Sequence, residues 1–480
     1  MTDPSATDRG ETIPAPDPES ASAVAHPSVA SAVRRALTPY YPPVCLLAAA
    51  LALFQLSRLT GYLIYRSDFA SMPLSETIRA FWNGFRFDLS SAGLYLGLPV
   101  WLLLLPRSQP QMTALRRVAL WAGFGAWIWF FWILAIDIGY YDEVGRHIGT
   151  EIAAADNDWI FIWRSIIVDF WPAVALTAGL SVAVGYGWRK VIRPFQRFPT
   201  PSAAAWIVFA LFPVFAVIAA RGGIQRRPIT TVSAYKSFSY KEAYLALNGV
   251  FSMTHSLRES GEIPVNYFRL DDAFKTVAPW VLSERETVVD PDYPLMRIRS
   301  HPASDAARPN VIIILLEGVR ADAIDAYRRL DGLPPLGATP VLDSFAENSR
   351  VYTRFMANGQ RSIHGITAML CGLPTMPGVP YLGRGMEQTR IAFLPNAFRN
   401  AGYDTFFVQG SVRDSFHVDS ISALSGFSSY LSAEDIAQAK EFADHNDPYG
   451  AWDYDMLMAF QDLCAVRARS CQAFFGFSFT

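Results

Sequence analysis

Asn310-Val311-Ile312-Ile313-Ile314-Leu315-Leu316-Glu317 is the stretch whose reading decides the fold. Its apolar run is unbroken and rich in β-branched side chains, which favours a strand over a helix. A run of that kind predicts a strand covered on both faces, as in parallel sheets. It ends on an acid. Ligands of open α/β sheets gather at the carboxyl ends of strands, and a carboxylate placed there can offer oxygen to a divalent cation. Taken alone, Glu317 suits a helix cap or a salt bridge as well as a metal.

Downstream, short apolar runs alternate with amphipathic ones, the pattern of a parallel α/β domain. Helices are predicted over 321–329 and 339–348, the second opened by Thr339-Pro340 as N-cap and first-turn signal. A strand is predicted over 351–356. It leads into Asn358-Gly359-Gln360-Arg361-Ser362-Ile363-His364-Gly365, a polar turn that opens onto a helical run at 366–370. A hydroxyl at a helix start faces free backbone N–H groups and the positive end of the dipole. Ser362 is therefore a candidate nucleophile, with an ordinary N-cap serine as the alternative. A helix over 391–400 stops near Gly402, a strand follows over 403–408, and the polar loop 409–419 carries Gln409, Arg413, Asp414, His417 and Asp419. A last buried-strand pattern occupies 472–478, where a sheet of this type is not expected to end.

Upstream the texture differs. Hydrophobic residues make up 51% of the 480-residue chain and charged ones 18%, the balance of a protein with membrane segments. The formal net charge of −2 excludes a basic face for nucleic acid. Five apolar stretches approach the ~20 residues that cross a bilayer, at about 44–64, 89–106, 118–136, 166–187 and 204–220; Arg58 interrupts the first, near enough to its end to snorkel. Lys and Arg concentrate before the first span, between the second and third, and between the fourth and fifth, which places those segments inside. The acidic connection 137–164 then lies outside, and so does everything after about 221. Residues 1–30 read as a disordered cytoplasmic tail, 31–220 as the membrane domain, 221–308 as a linker with interfacial helices or a partly ordered spacer, and 309–480 as the α/β portion. Cys464 and Cys471 are either a disulfide pair or two thiols.

Glu317 and the Gly359–Ser362 turn carry a resemblance. Their order is similar to that in the lipoteichoic acid synthase and phosphoglycerol transferase branch of the sulfatase-like, alkaline-phosphatase superfamily. Further local matches are Gly84-Phe85-Arg86-Phe87-Asp88-Leu89-Ser90, Ala220-Arg221-Gly222-Gly223, Arg227-Pro228 and the segment 450–455. The resemblance implies an all-α polytopic membrane domain followed by an α/β sulfatase-like domain, in a bacterial inner membrane with the catalytic part extracytoplasmic. It implies a divalent metal, manganese or magnesium, held by Glu317 and Ser362, with Ser362 also the nucleophile. It implies a transferase that moves phosphoglycerol from a phospholipid donor to a cell-envelope glycan or polyol-phosphate acceptor. Arg361, His364, Gln409, Arg413 and His417 are the corresponding candidates for substrate contact.

The sequence departs from that pattern in places. The nucleophile is Ser rather than Thr, Arg361 stands for a Lys, and Gln409 stands for a His. The family's later Asp-His metal pair has one counterpart by composition, Asp444-His445, inside the polar run 441–448; the expectation is that the domain is C-terminally incomplete here. A true sulfatase needs Cys or Ser in a C/S-x-P-x-R context. Neither Ser362-Ile363-His364-Gly365-Ile366 nor Cys371-Gly372-Leu373-Pro374 supplies it. A phosphoethanolamine transferase and a truncated, inactive membrane protein are the other readings.

Overall fold

A computed structural model describes residues 37–107, 113–149, 168, 170–192, 199–236, 239–259, 268–290, 293, 295–299, 308–353, 355–359, 361–376, 381–413, 415–439, 450–470 and 472–480. The predicted tail 1–30, Asp414, Asp444-His445 and Cys471 lie outside these residues, and Cys464 carries a free thiol.

Among the described residues, five long helices form the first half: α1 (Tyr41–Ile64), α2 (Leu74–Leu103), α3 (Thr113–Val144), α4 (Trp171–Ile192) and α5 (Ala203–Arg221). Among the described residues, three segments are long and apolar enough to cross a membrane, Thr38–Ile64, Ala114–Asp142 and Ala203–Arg221. They suggest a membrane protein. Helices α2 and α4 fall short of that mark because α2 carries Arg79, Arg86 and Asp88 and α4 is diluted by Gly, Ser and Thr. Both ends of α5 have a local cause. Ser202 caps α5 by accepting from the Ala205 N–H at 3.1 Å. Gly222, left-handed at φ 78°, closes it while the Gly223 N–H reaches back to the Ile218 carbonyl.

Arg58 does not snorkel. Its guanidinium is 2% exposed and grips both oxygens of Asp88 on α2, at 2.8 and 2.9 Å. Gln55 and Asn248 donate to the same carboxylate at 2.8 and 2.9 Å, and Arg58 also reaches the carbonyls of Leu245 and Ala246. A buried ion needs such a full set of partners. Gly84 explains itself here: a Cβ on it would lie 2.5 Å from the Arg58 guanidinium.

The segment expected to be a linker is built into the core between residues 229 and 253. Helices α6 (Tyr240–Ala246) and α7 (Gly249–Glu259) bury Ala243, Leu245, Val250, Phe251 and Met253. Arg79 of α2 holds the buried Glu242 of α6 through two bonds of 2.7 Å. A further helix, α8 (Leu270–Val281), and an antiparallel pair, β1 (Glu286–Val288) with β2 (Arg297–Arg299), follow on the surface.

The α/β half contains β3 (Val311–Leu315), α9 (Asp325–Leu330), α10 (Pro340–Glu347), α11 (Ser362–Cys371), α12 (Leu394–Asn400), β4 (Asp404–Gln409), α13 (Val418–Ser425), β5 (Ser429–Leu431), α14 (Ala433–Ala439), α15 (Asp453–Arg469) and β6 (Phe474–Phe479). The sheet runs β3-β6-β4-β5, parallel throughout. β6 is its buried centre, with Phe475 stacked on Phe398 at 4.5 Å and Phe477 edge-on to Phe407 at 4.9 Å. The same apolar core takes in Phe87 from α2 and Ile229, Val232 and Phe251 from the segment between the halves.

Three expectations are corrected. β3 is covered on one face only: it pairs with β6 alone among the described strands, and Ile312 and Ile314 remain 48% exposed. Residues 351–356 do not form the next strand where they are described; Phe355 and Met356 project into solvent, and none of the described strands pairs with them. The helix predicted over 321–329 breaks into a 3₁₀ turn (Ala321–Ala323) and α9, with Ile324 extended between them.

Candidate active site

β3 delivers Glu317 just past its carboxyl end, where Gly318 turns the chain at φ 70°. The Glu317 backbone N–H donates to the Thr480 hydroxyl at 2.8 Å, and Thr480 N–H donates to the Leu315 carbonyl, so the end of β6 fixes the turn. Ser362 is the first residue of the ten-residue helix α11, preceded by Arg361 in extended conformation. Its hydroxyl caps nothing. It donates instead to Oε1 of Glu317 in a short hydrogen bond. The N-cap reading of Ser362 therefore gives way, and the helix dipole acts on a hydroxyl that is turned toward a carboxylate.

Around this pair, Arg361 is exposed and directs Nη1 to the Tyr381 hydroxyl at 3.5 Å. His364 lies edge-on to the same Tyr381 ring, with centroids 4.5 Å apart. Gly359, at φ 104°, leaves no room for a side chain beneath it, since a Cβ would sit 2.4 Å from His364 Nδ1. Burial first, and then the neighbouring Arg361 charge, lower the His364 pKa from its usual 6.5. Its ring packs on Tyr381, and its buried Nε2 has no hydrogen-bond partner among the described residues.

The other three candidates form a second neighbourhood. Gln409, the last residue of β4, is buried; it accepts from the Tyr430 hydroxyl at 3.2 Å and donates to Ser411 at 3.3 Å. Arg413 is paired with Asp435 and lies over the Tyr430 ring at 5.8 Å, while its backbone N–H donates to Glu434. His417 is left-handed at φ 59°, beside Phe416 at φ 52°, and its Nδ1 meets the Ser233 hydroxyl at 3.3 Å. Two successive non-glycine residues in that region are costly and typical of functional loops. β3 and β4 are separated by β6, so their carboxyl ends lie roughly 10 Å apart, two inter-strand spacings. Glu317 and Gln409 thus share one edge of the sheet without touching.

Sequence reasoning missed Tyr381, Thr480, Tyr430 and Glu387. Glu387 is fully buried, accepting from the Thr231 hydroxyl and from the N–H groups of Gly383 and Gly385 at 3.0 and 3.1 Å. Burial raises its pKa above 4.5 despite those three donors. Nothing in the local sequence marks it as buried, because the hydroxyl that meets it, on Thr231, comes from 156 residues away.

Glu317 and Ser362 supply two oxygens of the kind hard divalent cations take. Among the described residues no cluster of three or more His, Cys, Asp or Glu surrounds them. They fit part of a cation's shell, with Asp444-His445 outside the described residues.

Residues 309–478 match the sulfatase family model. Among solved structures, a protein in the alkaline phosphatase superfamily from Vibrio parahaemolyticus is similar at 20% identity with a TM-score of 0.35, over 44% of this chain and 49% of that one. The chain thus spans about half the length of that protein.

Proposed function

We propose, from a sulfatase-like α/β region packed directly onto membrane-type helices, that this protein transfers phosphoglycerol from a phospholipid to a hydroxyl of a cell-envelope glycan or polyol phosphate, in a bacterial inner membrane with the α/β region outside. Sulfatase-like membership of residues 309–478 supports a phosphoryl- or sulfuryl-transfer or hydrolysis class. The observation that carries the finer reading is the Ser362 hydroxyl, poised at a helix N-terminus and hydrogen-bonded to Glu317.

In the proposed reaction Ser362 Oγ attacks the phosphorus of the lipid phosphodiester. Its proton leaves toward Glu317 Oε1, which already accepts that hydrogen. The bond from phosphorus to the diacylglycerol oxygen breaks, that oxygen takes the proton from Glu317, and phosphoglycerol stays on Ser362 as an ester. An acceptor hydroxyl then gives its proton to Glu317 as it attacks phosphorus, and the Ser362 oxygen leaves with that proton. The His364 and Gly365 N–H groups are taken by the Arg361 carbonyl, so it is the positive end of α11 at Ser362 and Ile363 that would favour the charge growing on the phosphoryl oxygens. A divalent cation, manganese or magnesium, bound by Glu317 and Ser362 would neutralise those oxygens and ease ionisation of the hydroxyl.

The test is turnover of phosphatidylglycerol and phosphatidylethanolamine by the purified chain in detergent with manganese. Release of diacylglycerol from the first, with phosphoglycerol trapped on Ser362 in intact-mass spectra, is expected. Preference for phosphatidylethanolamine would move the assignment to a phosphoethanolamine transferase, and no covalent adduct with either would overturn the mechanism.

A further inference from the structure

Two sequence motifs play no part in the site above, Gly84–Ser90 and Ala220–Gly223 with Arg227-Pro228, and the structure brings them together. Arg86 donates to the Gly222 carbonyl at 2.5 Å and Ser90 to the Ala220 carbonyl at 2.6 Å. Gly93 lets the α5 backbone touch α2, since a Cβ there would lie 2.8 Å from Ala220 N. Because α5 is long and apolar enough to span a bilayer and ends at Gly222, this junction lies where the chain leaves the apolar layer.

Beside it, between α2, α5 and α7, opens a cleft of about 360 Å³, within the ~300–1,000 Å³ range of small-molecule sites. Its lining is divided. Leu94 and Val217, one turn inward from the junction, are 40% and 66% exposed and present apolar surface. Tyr95 and Thr254, joined by a 2.8 Å hydroxyl bond, His255 and Arg221 supply polar groups. Arg221 uses Nη2 to hold the carbonyls of Gln225 and Arg226, and a guanidinium carries five donors in all. Arg226 and Arg227 add charge within the next six residues. The Arg227 guanidinium sits 4.4 Å over the ring of Phe416, so the rim of the cleft touches the strand-end loop that also carries His417.

We infer that this cleft binds an anionic phospholipid, with its phosphate at Arg221 and His255 and an acyl chain along Leu94 and Val217. Apolar walls one turn inside a basic rim, at the membrane exit of a span, match a molecule that is apolar inward and anionic outward. A water-soluble anion would leave Leu94 and Val217 uncovered. The proposal deepens the reading above, and rests on it, in taking this lipid to be the waiting donor; the binding itself does not depend on the reaction.

The full chain in nanodiscs of phosphatidylcholine is exposed to phosphatidylglycerol bearing a photoactivatable acyl chain, and labelled peptides are mapped by mass spectrometry. Labelling is expected in α2 and α7 on either side of the Tyr95–Thr254 contact, displaced by unlabelled phosphatidylglycerol and not by phosphatidylcholine. Val217→Trp, which fills the cleft from an exposed position, should reduce it by about tenfold; Leu94→Trp is the second variant, used if the first melts below the wild type. Arg221→Gln should erase the preference for the anionic headgroup. Labelling spread evenly over the helices, or unchanged in both Trp variants, would overturn the site. Ser362→Ala should label like the wild type, which separates the two proposals: labelling without turnover sinks the reaction and keeps the site, whereas unchanged turnover of phosphatidylglycerol in a Trp variant that no longer labels removes the cleft from the donor's path.

Discussion

Asp88 and Glu317 are both carboxylates facing a partner brought in from elsewhere in the chain, and they differ in what is left over. Asp88 is buried and accepts four hydrogen bonds, two from Arg58 and one each from Gln55 and Asn248. Glu317 is exposed, and its side chain accepts the short bond from Ser362. A carboxylate offers about four lone-pair sites. Those of Asp88 are filled by protein, which makes it a fixture; Glu317 keeps capacity for a proton, a cation or a substrate. A charged residue amid apolar sequence therefore has its role decided by how completely the protein satisfies it.

The largest expected effect tests the unfilled side of this contrast. Ser362→Ala should lower turnover by about 10³-fold or more while the thermal midpoint stays near wild type. Substantial residual rate would show that another group attacks. The filled side should respond in stability: Asp88→Ala strands the Arg58 charge and should cost about 3–5 kcal/mol in unfolding, with Arg58→Met/Asp88→Leu recovering much of it. A single variant as stable as wild type would refute the structural role of the cluster.

Glu387 stands between the two cases, fully buried and yet shifted by burial toward its neutral form. Glu387→Ala should cost about 1–3 kcal/mol by leaving Thr231 and two glycine N–H groups unpaired. Its pH dependence has a definite sign. Because the folded pKa lies above 4.5, the contribution of the neutral carboxyl is complete below that value and is lost as pH rises toward the folded pKa. Glu387→Gln should flatten this part of the stability curve; an unchanged slope would assign it to another group. The smallest effect belongs to Arg413→Gln. That pair is 46% and 35% exposed, and its loss should change stability by less than about 1 kcal/mol. A raised KM for the lipid donor in this variant would show that the guanidinium leaves Asp435 when substrate binds.

What was legible in the sequence follows the range of each interaction. The strand at 310–317, the helix after Ser362, the strands at 403–408 and 472–478 and the long apolar helices are written in contiguous patterns, and the structure contains them. The pairing of Glu317 with Ser362 was implied by the family resemblance alone, since each residue read locally suits a cap or a salt bridge as well; the structure joins them by a hydrogen bond. Arg58 was misread because its partner lies 30 residues away on another helix, so an apolar run with one charge suggested snorkelling. Residues 351–356 read as a strand by composition, but a strand needs a ladder partner, and composition does not supply one. Burial of α6 and α7 was hidden for a similar reason: their mixed polarity reads as interfacial until Arg79, Arg58 and Asp88 are seen to take up the polar groups.

Phe87 carries a consequence for cooperativity. It belongs by sequence to the second long helix and by packing to the apolar core that contains the central strand of the sheet, where its ring meets Phe251 at 4.9 Å. Two regions joined by a solvated tether melt separately, whereas regions that share a core expose each other's apolar surface when either one opens. Heating the protein in detergent should therefore give one transition whether it is followed by overall helix content or by hydrogen exchange at the backbone amides of β6. An α/β fragment cut away at residue 228 would lose Phe87 and should not hold its fold.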